Sequence, residues 1–303
     1  MQCTSPNKYT PEGMFITTTP PCGNCLSCKL NDRAVWASRL VCERKAYDTA
    51  QFITLTYRDE DLPTGPQEAK ESFQKFIKRY RTNTGTQPRY YACMEYGSRF
   101  GRLHWHAIFF GTSPLWDRRR KNNHLIVVDP RIEDNWQNGS TYTKDCNYAT
   151  QGLNITQYVA AYILKNKWKS KQEIFDAPKL ELALQSRSPY IGKPVVNLIS
   201  ELCTTKKGSI RCAALGTVPD RLKMAGRFYR LYSRIRKDVA ENIGYPYEPV
   251  PWNDGTLIDI DGNSILKLAN HVPKTKHQAV CHELSIKSKI NRNRSKNRSA
   301  NTG

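Results

Sequence analysis

Gly101-Arg102-Leu103-His104-Trp105-His106-Ala107-Ile108-Phe109-Phe110-Gly111 is the stretch on which the reading of this chain turns. An apolar run of this length, closed by glycine at both ends, reads as a β-strand. Side chains on a strand alternate faces. His104 and His106 therefore point one way, and Leu103, Trp105 and Ala107 the other. Two neutral imidazoles on one face can share a divalent ion. An H-x-H pair also occurs in strands with no metal role, so its weight depends on what accompanies it.

The accompanying element lies about fifty residues on, in Tyr158-Val-Ala-Ala-Tyr162-Ile-Leu-Lys165. Asn154 is a good N-cap and Gln157 sits three residues later, the spacing of a capping box, so the segment is expected to be helical. Helical spacing stacks Tyr158 and Tyr162 one turn apart on one face, with Lys165 at i+3. Tyrosines so spaced often pack in a core, but they also suit a nucleophilic pair. A phenol with a pKa of about 10 is a weak nucleophile at neutral pH. It needs an electrophile activated by a cation, such as a phosphate bound to a divalent metal. The histidine pair and the tyrosine pair are complementary halves of one chemistry.

The formal charge of +20 points to a polyanionic partner. No apolar run approaches the roughly 20 residues of a membrane span and no signal-peptide pattern opens the chain, which favours a nucleic acid over a lipid surface. The 16 Tyr, 9 Phe and 6 Trp offer rings for stacking on unpaired bases. Cys22, Cys25 and Cys28 form C-x2-C-x2-C, a spacing of metal ligands more than of disulfides. A structural Zn2+ site needs a fourth ligand; Cys3 is the candidate, with Cys42 and remote histidines as rivals. An iron–sulfur cluster or three free thiols would share that spacing. Cys93, Cys146, Cys203, Cys212 and Cys281 are scattered, as structural cysteines are.

Around these motifs the pattern predicts a basic helix over 26–48 and a strand over Gln51–Tyr57. A second helix follows over 67–81, with Phe73, Phe76, Ile77 and Tyr80 as its buried stripe. Strands are expected at Tyr90–Tyr96 and Leu103–Phe110, joined as a hairpin through Gly97–Gly101. Beyond them lie a charged loop at Trp116–Asn123 and short strands at Leu125–Asp129 and Thr141–Lys144. Past Ser170 the signals weaken. Residues 220–237 read as a basic helix with Leu222, Met224, Phe228, Leu231 and Ile235 as its apolar positions. Leu257–Ile265 reads as a hairpin turned at Asp261-Gly262, and the end as a basic tail. The order describes an α+β fold with an antiparallel central sheet. Four segments are expected: 1–48, Cys-rich with a basic helix; 49–240, the main domain; 241–285, accessory; and 286–303, a disordered basic tail.

Three motifs, in order, are similar to those of the HUH endonucleases, and most resemble the replication initiators of microviruses of the gokushovirus type. They are Phe52-Ile-Thr-Leu-Thr-Tyr57, Leu103-His-Trp-His106 and Tyr158-x3-Tyr162-x2-Lys165. Pro21–Cys28 and Ser186–Pro194 also look like segments of those proteins. The resemblance implies an HUH nuclease fold with the His strand central and the tyrosine helix beside it. It implies Mg2+ or Mn2+ held by His104, His106 and a third polar ligand, for which the hairpin offers Glu95. Tyr158 or Tyr162 would then cut single-stranded DNA at a replication origin, leaving a 5′-phosphotyrosine and a free 3′-OH. Lys165 would assist at the phosphate, and Arg99, Arg102, Arg187 and Lys193 are possible DNA contacts. Host helicase and DNA polymerase would be the partners, with no membrane, in the cytoplasm of a bacterial host. The rivals are a relaxase or transposase of the same group and a non-catalytic, zinc-stabilised nucleic-acid-binding protein.

Overall fold

Strand β3 (Leu103–Phe110) lies at the middle of a five-stranded sheet because both of its faces carry side chains that must be buried. In the computed structural model of the protein the described residues are 3, 4, 6, 21–23, 25–96, 102–115, 117–121, 124–146, 183–224, 227–247, 256–260, 262 and 264–267. The expected tyrosine helix with Tyr158, Tyr162 and Lys165, the turn at Gly97–Gly101 and the tail at 286–303 lie outside them.

Helix α1 (Leu26–Lys45) leads into β1 (Ala50–Tyr57), then α2 (Pro66–Thr84) and β2 (Arg89–Tyr96). After β3 come β4 (Asp117–Lys121), β5 (His124–Val128), the one-turn α3 (Pro130–Glu133) and β6 (Gly139–Asp145). Strand β7 (Ala183–Gln185), helices α4 (Val195–Thr204) and α5 (Lys206–Leu215), and strands β8 (Arg221–Met224) and β9 (Arg227–Arg230) follow. Helix α6 (Ser233–Ile243) and strands β10 (Thr256–Asp259) and β11 (Ser264–Lys267) complete the described elements. The central sheet has the order β6-β1-β3-β2-β7, antiparallel throughout, with the His strand in the middle as the HUH resemblance implied.

Alternation along β3 divides the core. Trp105, Ala107 and Phe109 face α2, whose Ala69, Phe73, Phe76, Ile77 and Tyr80 recur at helical spacing on one side. Phe73 meets Trp105 with ring centroids 4.7 Å apart. Pro66 at the first turn and Gly85, left-handed at φ 66°, start and stop that helix. On the opposite face Ile108 and Phe110 pack with Leu40 and Val41 of α1, Val195 and Ile199 of α4, and Ile235 of α6.

The far half of α1 is also a polar spine. Buried Glu43 accepts a hydrogen bond from the Gly192 amide at 2.6 Å and pairs with Arg89. Arg44 donates to the carbonyls of Asp48 and Cys146 at 3.0 and 3.3 Å. Arg39 donates to the Ile191 carbonyl and the Gln185 side chain, its guanidinium held over Trp36 and Tyr232. Cys42, Cys93, Cys146, Cys203 and Cys212 are buried thiols, and burial pushes Cys42 and Cys146 up to about 12.

Two expectations are corrected. Residues 220–237 are not one helix. Leu222 and Met224 on β8, and Tyr229 and Leu231 from β9 onward, are buried at every second position, while Phe228 is 61% exposed. The apolar positions fit both periods, and pairing of β8 with β9 and β10 decides for strands, with α6 starting only at Ser233. The charged segment 116–123 is no loop either: Asp117–Lys121 pairs with β5 as a two-stranded ribbon. Its Arg-rich sequence has no apolar alternation to announce a strand, and the backbone ladder supplies the order. The hairpin expected around Asp261-Gly262 is present, with Asp259 opposite Ser264. Its strand β10 pairs in parallel with β8, so residues 221–230 and 256–267 share one sheet. Among the described residues no helix is long and apolar enough to cross a membrane.

Candidate active site

Strand registry brings His104, His106 and Glu95 together. His104 lies opposite Thr56 on β1 and Glu95 on β2; His106 lies opposite Thr54 and Cys93. All six side chains share the face away from α2. The carboxylate of Glu95 reaches diagonally across the strand pair to His106, with Oε2 3.2 Å from Nε2. Glu95 and His106 are 6% and 9% exposed, so this is a nearly dry pair at the end of a buried sheet.

Each imidazole is oriented by its Nδ1. His104 Nδ1 lies 2.7 Å from the Arg102 carbonyl, which can only accept, so the proton sits on Nδ1 and Nε2 is left with a free lone pair. Burial holds the His104 pKa below its ordinary value, which keeps the ring neutral and able to ligate. His106 Nδ1 is 3.1 Å from the Thr54 hydroxyl, and its ring stacks on Phe52 with centroids 5.7 Å apart. When Nδ1 donates to Thr54, Nε2 and the Glu95 oxygen are two acceptors facing each other at 3.2 Å. Such a pair calls for a cation between them, either a proton or a metal ion. The two rings lie parallel, 5° apart in orientation with centroids 6.2 Å apart. One ion held by both requires a side-chain rotation that turns their Nε2 atoms toward each other. Two nitrogens and one carboxylate are a donor set that Mn2+ or Mg2+ accepts.

Arg102, at the mouth of β3, donates to the Tyr57 carbonyl at 2.9 Å and pairs with Asp59 at 2.5 Å. Lys193 pairs with Asp238 at 2.5 Å, and Arg187 is exposed. Thr54 and Asp59 were missed in the sequence. Strand alternation from the His pair would have found Thr54, since it falls on the same face of the next strand; nothing in the sequence marks Asp59. Tyr158, Tyr162 and Lys165, like Arg99, lie outside the described residues.

A second cluster stands apart from the sheet. Cys3, Cys22, Cys25 and Cys28 bring their four sulfurs within 4.8 Å of one another and could hold a structural metal such as zinc. Among the described residues it is the group of three or more His, Cys, Asp or Glu side chains drawn that closely together.

Residues 50–167 match the family model of the replication-associated protein ORF2. The chain is 30% identical over 156 residues to replication-associated protein VP4 of Bdellovibrio phage phiMH2K, covering 48% of each. It is 27% identical over 184 residues to replication-associated protein ORF2 of Spiroplasma virus 4, covering 53% of this chain and 57% of that one. Over 154 residues it is 28% identical to replication-associated protein ORF4 of Chlamydia phage 1, covering 48% and 37%. The chain thus spans about half the length of the curated relatives it matches. No solved structure matches it. The matched segment runs from the first residue of β1 through the His strand to the far side of the tyrosine motif, and over that segment this chain belongs to the family of replication-associated ORF2 proteins.

Proposed function

We propose that this protein initiates rolling-circle DNA replication as a metal-dependent single-strand endonuclease and strand transferase. The observation that carries the reading is the joining of Glu95 to His106 at 3.2 Å beside a neutral His104, inside the segment matched by replication-associated proteins. The edge strands β6 and β7 flank the tyrosine segment in sequence. They lie four strand spacings apart, roughly 19 Å, with the His strand midway between them.

Glu95, His104 and His106 would hold Mg2+ or Mn2+, which when bound polarises the scissile phosphate and neutralises charge on the leaving oxygen. The phenolic oxygen of Tyr158 or Tyr162 attacks phosphorus as its proton departs. The P–O3′ bond breaks, and the 3′ oxygen leaves and takes up a proton. The products are a 5′-phosphotyrosine and a free 3′-OH that a host polymerase extends inside the host cell. A phosphotyrosine keeps the bond energy of the phosphodiester, so rejoining needs no nucleotide. The second tyrosine cuts the regenerated origin, and the displaced 3′-OH attacks the first linkage and closes a circle. Lys165, one turn from Tyr162 in the expected helix, would counter charge at the phosphate. The chain has no G-x-x-x-x-G-K-[ST] loop, which leaves strand separation to a host helicase.

The test is cleavage of the single-stranded genome that encodes the chain, cut into overlapping fragments and incubated with Mn2+. The proposal expects one preferred cut whose 3′ end a polymerase can extend, lost in Glu95→Gln and His106→Ala while DNA binding persists. Cutting that survives both substitutions, or tight binding with no cut at any fragment, would leave a non-catalytic nucleic-acid-binding protein as the better account.

A further inference from the structure

The function proposed above makes no use of the four-cysteine cluster before α1. We propose that Cys3, Cys22, Cys25 and Cys28 bind one Zn2+ as a tetrahedral tetrathiolate, and that this ion anchors the start of α1.

The spacing of the sulfurs carries the assignment. Cys3 Sγ lies 3.5 Å from Cys22 Sγ and 3.8 Å from Cys25 Sγ, and Cys22 Sγ lies 3.9 Å from Cys28 Sγ. A Zn–S bond of about 2.3 Å gives a tetrahedron whose S···S edge is about 3.8 Å. Disulfides would bring pairs to about 2.05 Å, and the four thiols are free. An iron–sulfur cluster places several irons and sulfides between its cysteines and needs a wider cage than 4.8 Å. Thiolates select zinc over the hard ions Mg2+ and Ca2+.

The backbone agrees with charged sulfurs. The Cys22 amide donates to Cys3 Sγ at 3.4 Å and the Cys25 amide donates to Cys22 Sγ at 3.3 Å. Such donors stabilise metal-bound thiolates from outside the ligand shell. Cys25 is the N-cap of α1 and Cys28 is its third residue, yet the helix has no side-chain cap and no acid in its first turn. A tetrathiolate zinc carries a net charge of −2 and supplies the negative charge that the helix start lacks.

Burial does not explain how Cys3 is held to α1. Among the described residues before the helix, none is buried. Metal ligation supplies the ordering that a core would otherwise provide. The same helix, through Arg39, Glu43 and Arg44, bonds Cys146 on one side of the tyrosine segment and Gln185, Ile191 and Gly192 on the other. The zinc would thus fix the register of a helix that ties down both flanks of the nuclease segment.

The proposal is tested on the full chain, purified without chelator or added metal, by elemental analysis and by zinc release during titration with a mercurial thiol reagent. One zinc per chain is expected, released as four thiols react. Cobalt substitution should give the visible bands of tetrahedral Co2+ with thiolate-to-metal charge transfer, and Cys22→Ser and Cys25→Ser should abolish them. Stripping the zinc should lower the melting temperature by several degrees. A chain with no zinc, with stoichiometric iron, or with Cys3–Cys22 or Cys25–Cys28 disulfides would overturn the site. An unchanged melting temperature after stripping would overturn the anchoring role. None of these readouts depends on DNA cleavage, so the nuclease reading and the zinc site fail separately.

Discussion

Thr54 shows how finely the site is set at the scale of single residues. Its hydroxyl fixes the tautomer of His106 from the neighbouring strand, so Thr54→Val should weaken Mn2+ binding about 10- to 100-fold. Metal titration of the purified variant would check this, with Thr54→Ser expected to restore most of the affinity. His104 gives a pH dependence. Its folded pKa is lowered by burial, so between that value and about 6.5 the unfolded chain binds the extra proton. Stability therefore rises with pH across that window, is complete above about pH 6.5, and is lost as pH falls through it. Denaturant unfolding of the wild type and His104→Gln at stepped pH should show the slope only in the wild type. Protons compete with metal for the same Nε2, so Mn2+ affinity should fall on the same acid side.

At the scale of elements, α1 and α2 hold the sheet from opposite faces by different means. Helix α2 works by burial: Phe73 is fully enclosed against Trp105, and Phe73→Ala should cost about 3–5 kcal/mol by denaturant unfolding. Helix α1 works by charge. Glu43 is buried between Arg89 and the Gly192 amide, and Glu43→Ala should cost about 3–5 kcal/mol because it strands the Arg89 charge. These elements were legible in the sequence because Phe73, Phe76, Ile77 and Tyr80 mark a single period, as do His104 and His106. Residues 220–237 were not, because Leu222, Met224, Phe228 and Leu231 fit a helix and a strand alike until β10 supplies a partner from beyond α6. The meeting of Glu95 with His106 follows from hairpin register, which the sequence motif brackets. The capping of Arg102 by Asp59 rests on a short turn after β1 that leaves no periodic trace.

For the whole molecule, a charge of +20 and a sheet ending in two histidines and a carboxylate describe a protein that gathers single-stranded DNA before cutting it. The last 18 residues, 286–303, contain six Lys or Arg and no acid. Deleting them should reduce the salt dependence of DNA affinity, by up to about 0.7 in log–log slope for each cation that engages a phosphate. Fluorescence anisotropy over a salt series would read this, and an unchanged slope would show that the tail takes no part. The central claim is tested most directly by a denaturing gel of the protein incubated with Mn2+ and the single-stranded origin. Tyr158→Phe, Tyr162→Phe, the double variant and His106→Ala would be run alongside. The account predicts a protein–DNA band that survives denaturation, needs the metal, and disappears in the double variant and in His106→Ala. A covalent band that persists without both tyrosines, or the absence of any such band where the wild type cuts the strand, would contradict it.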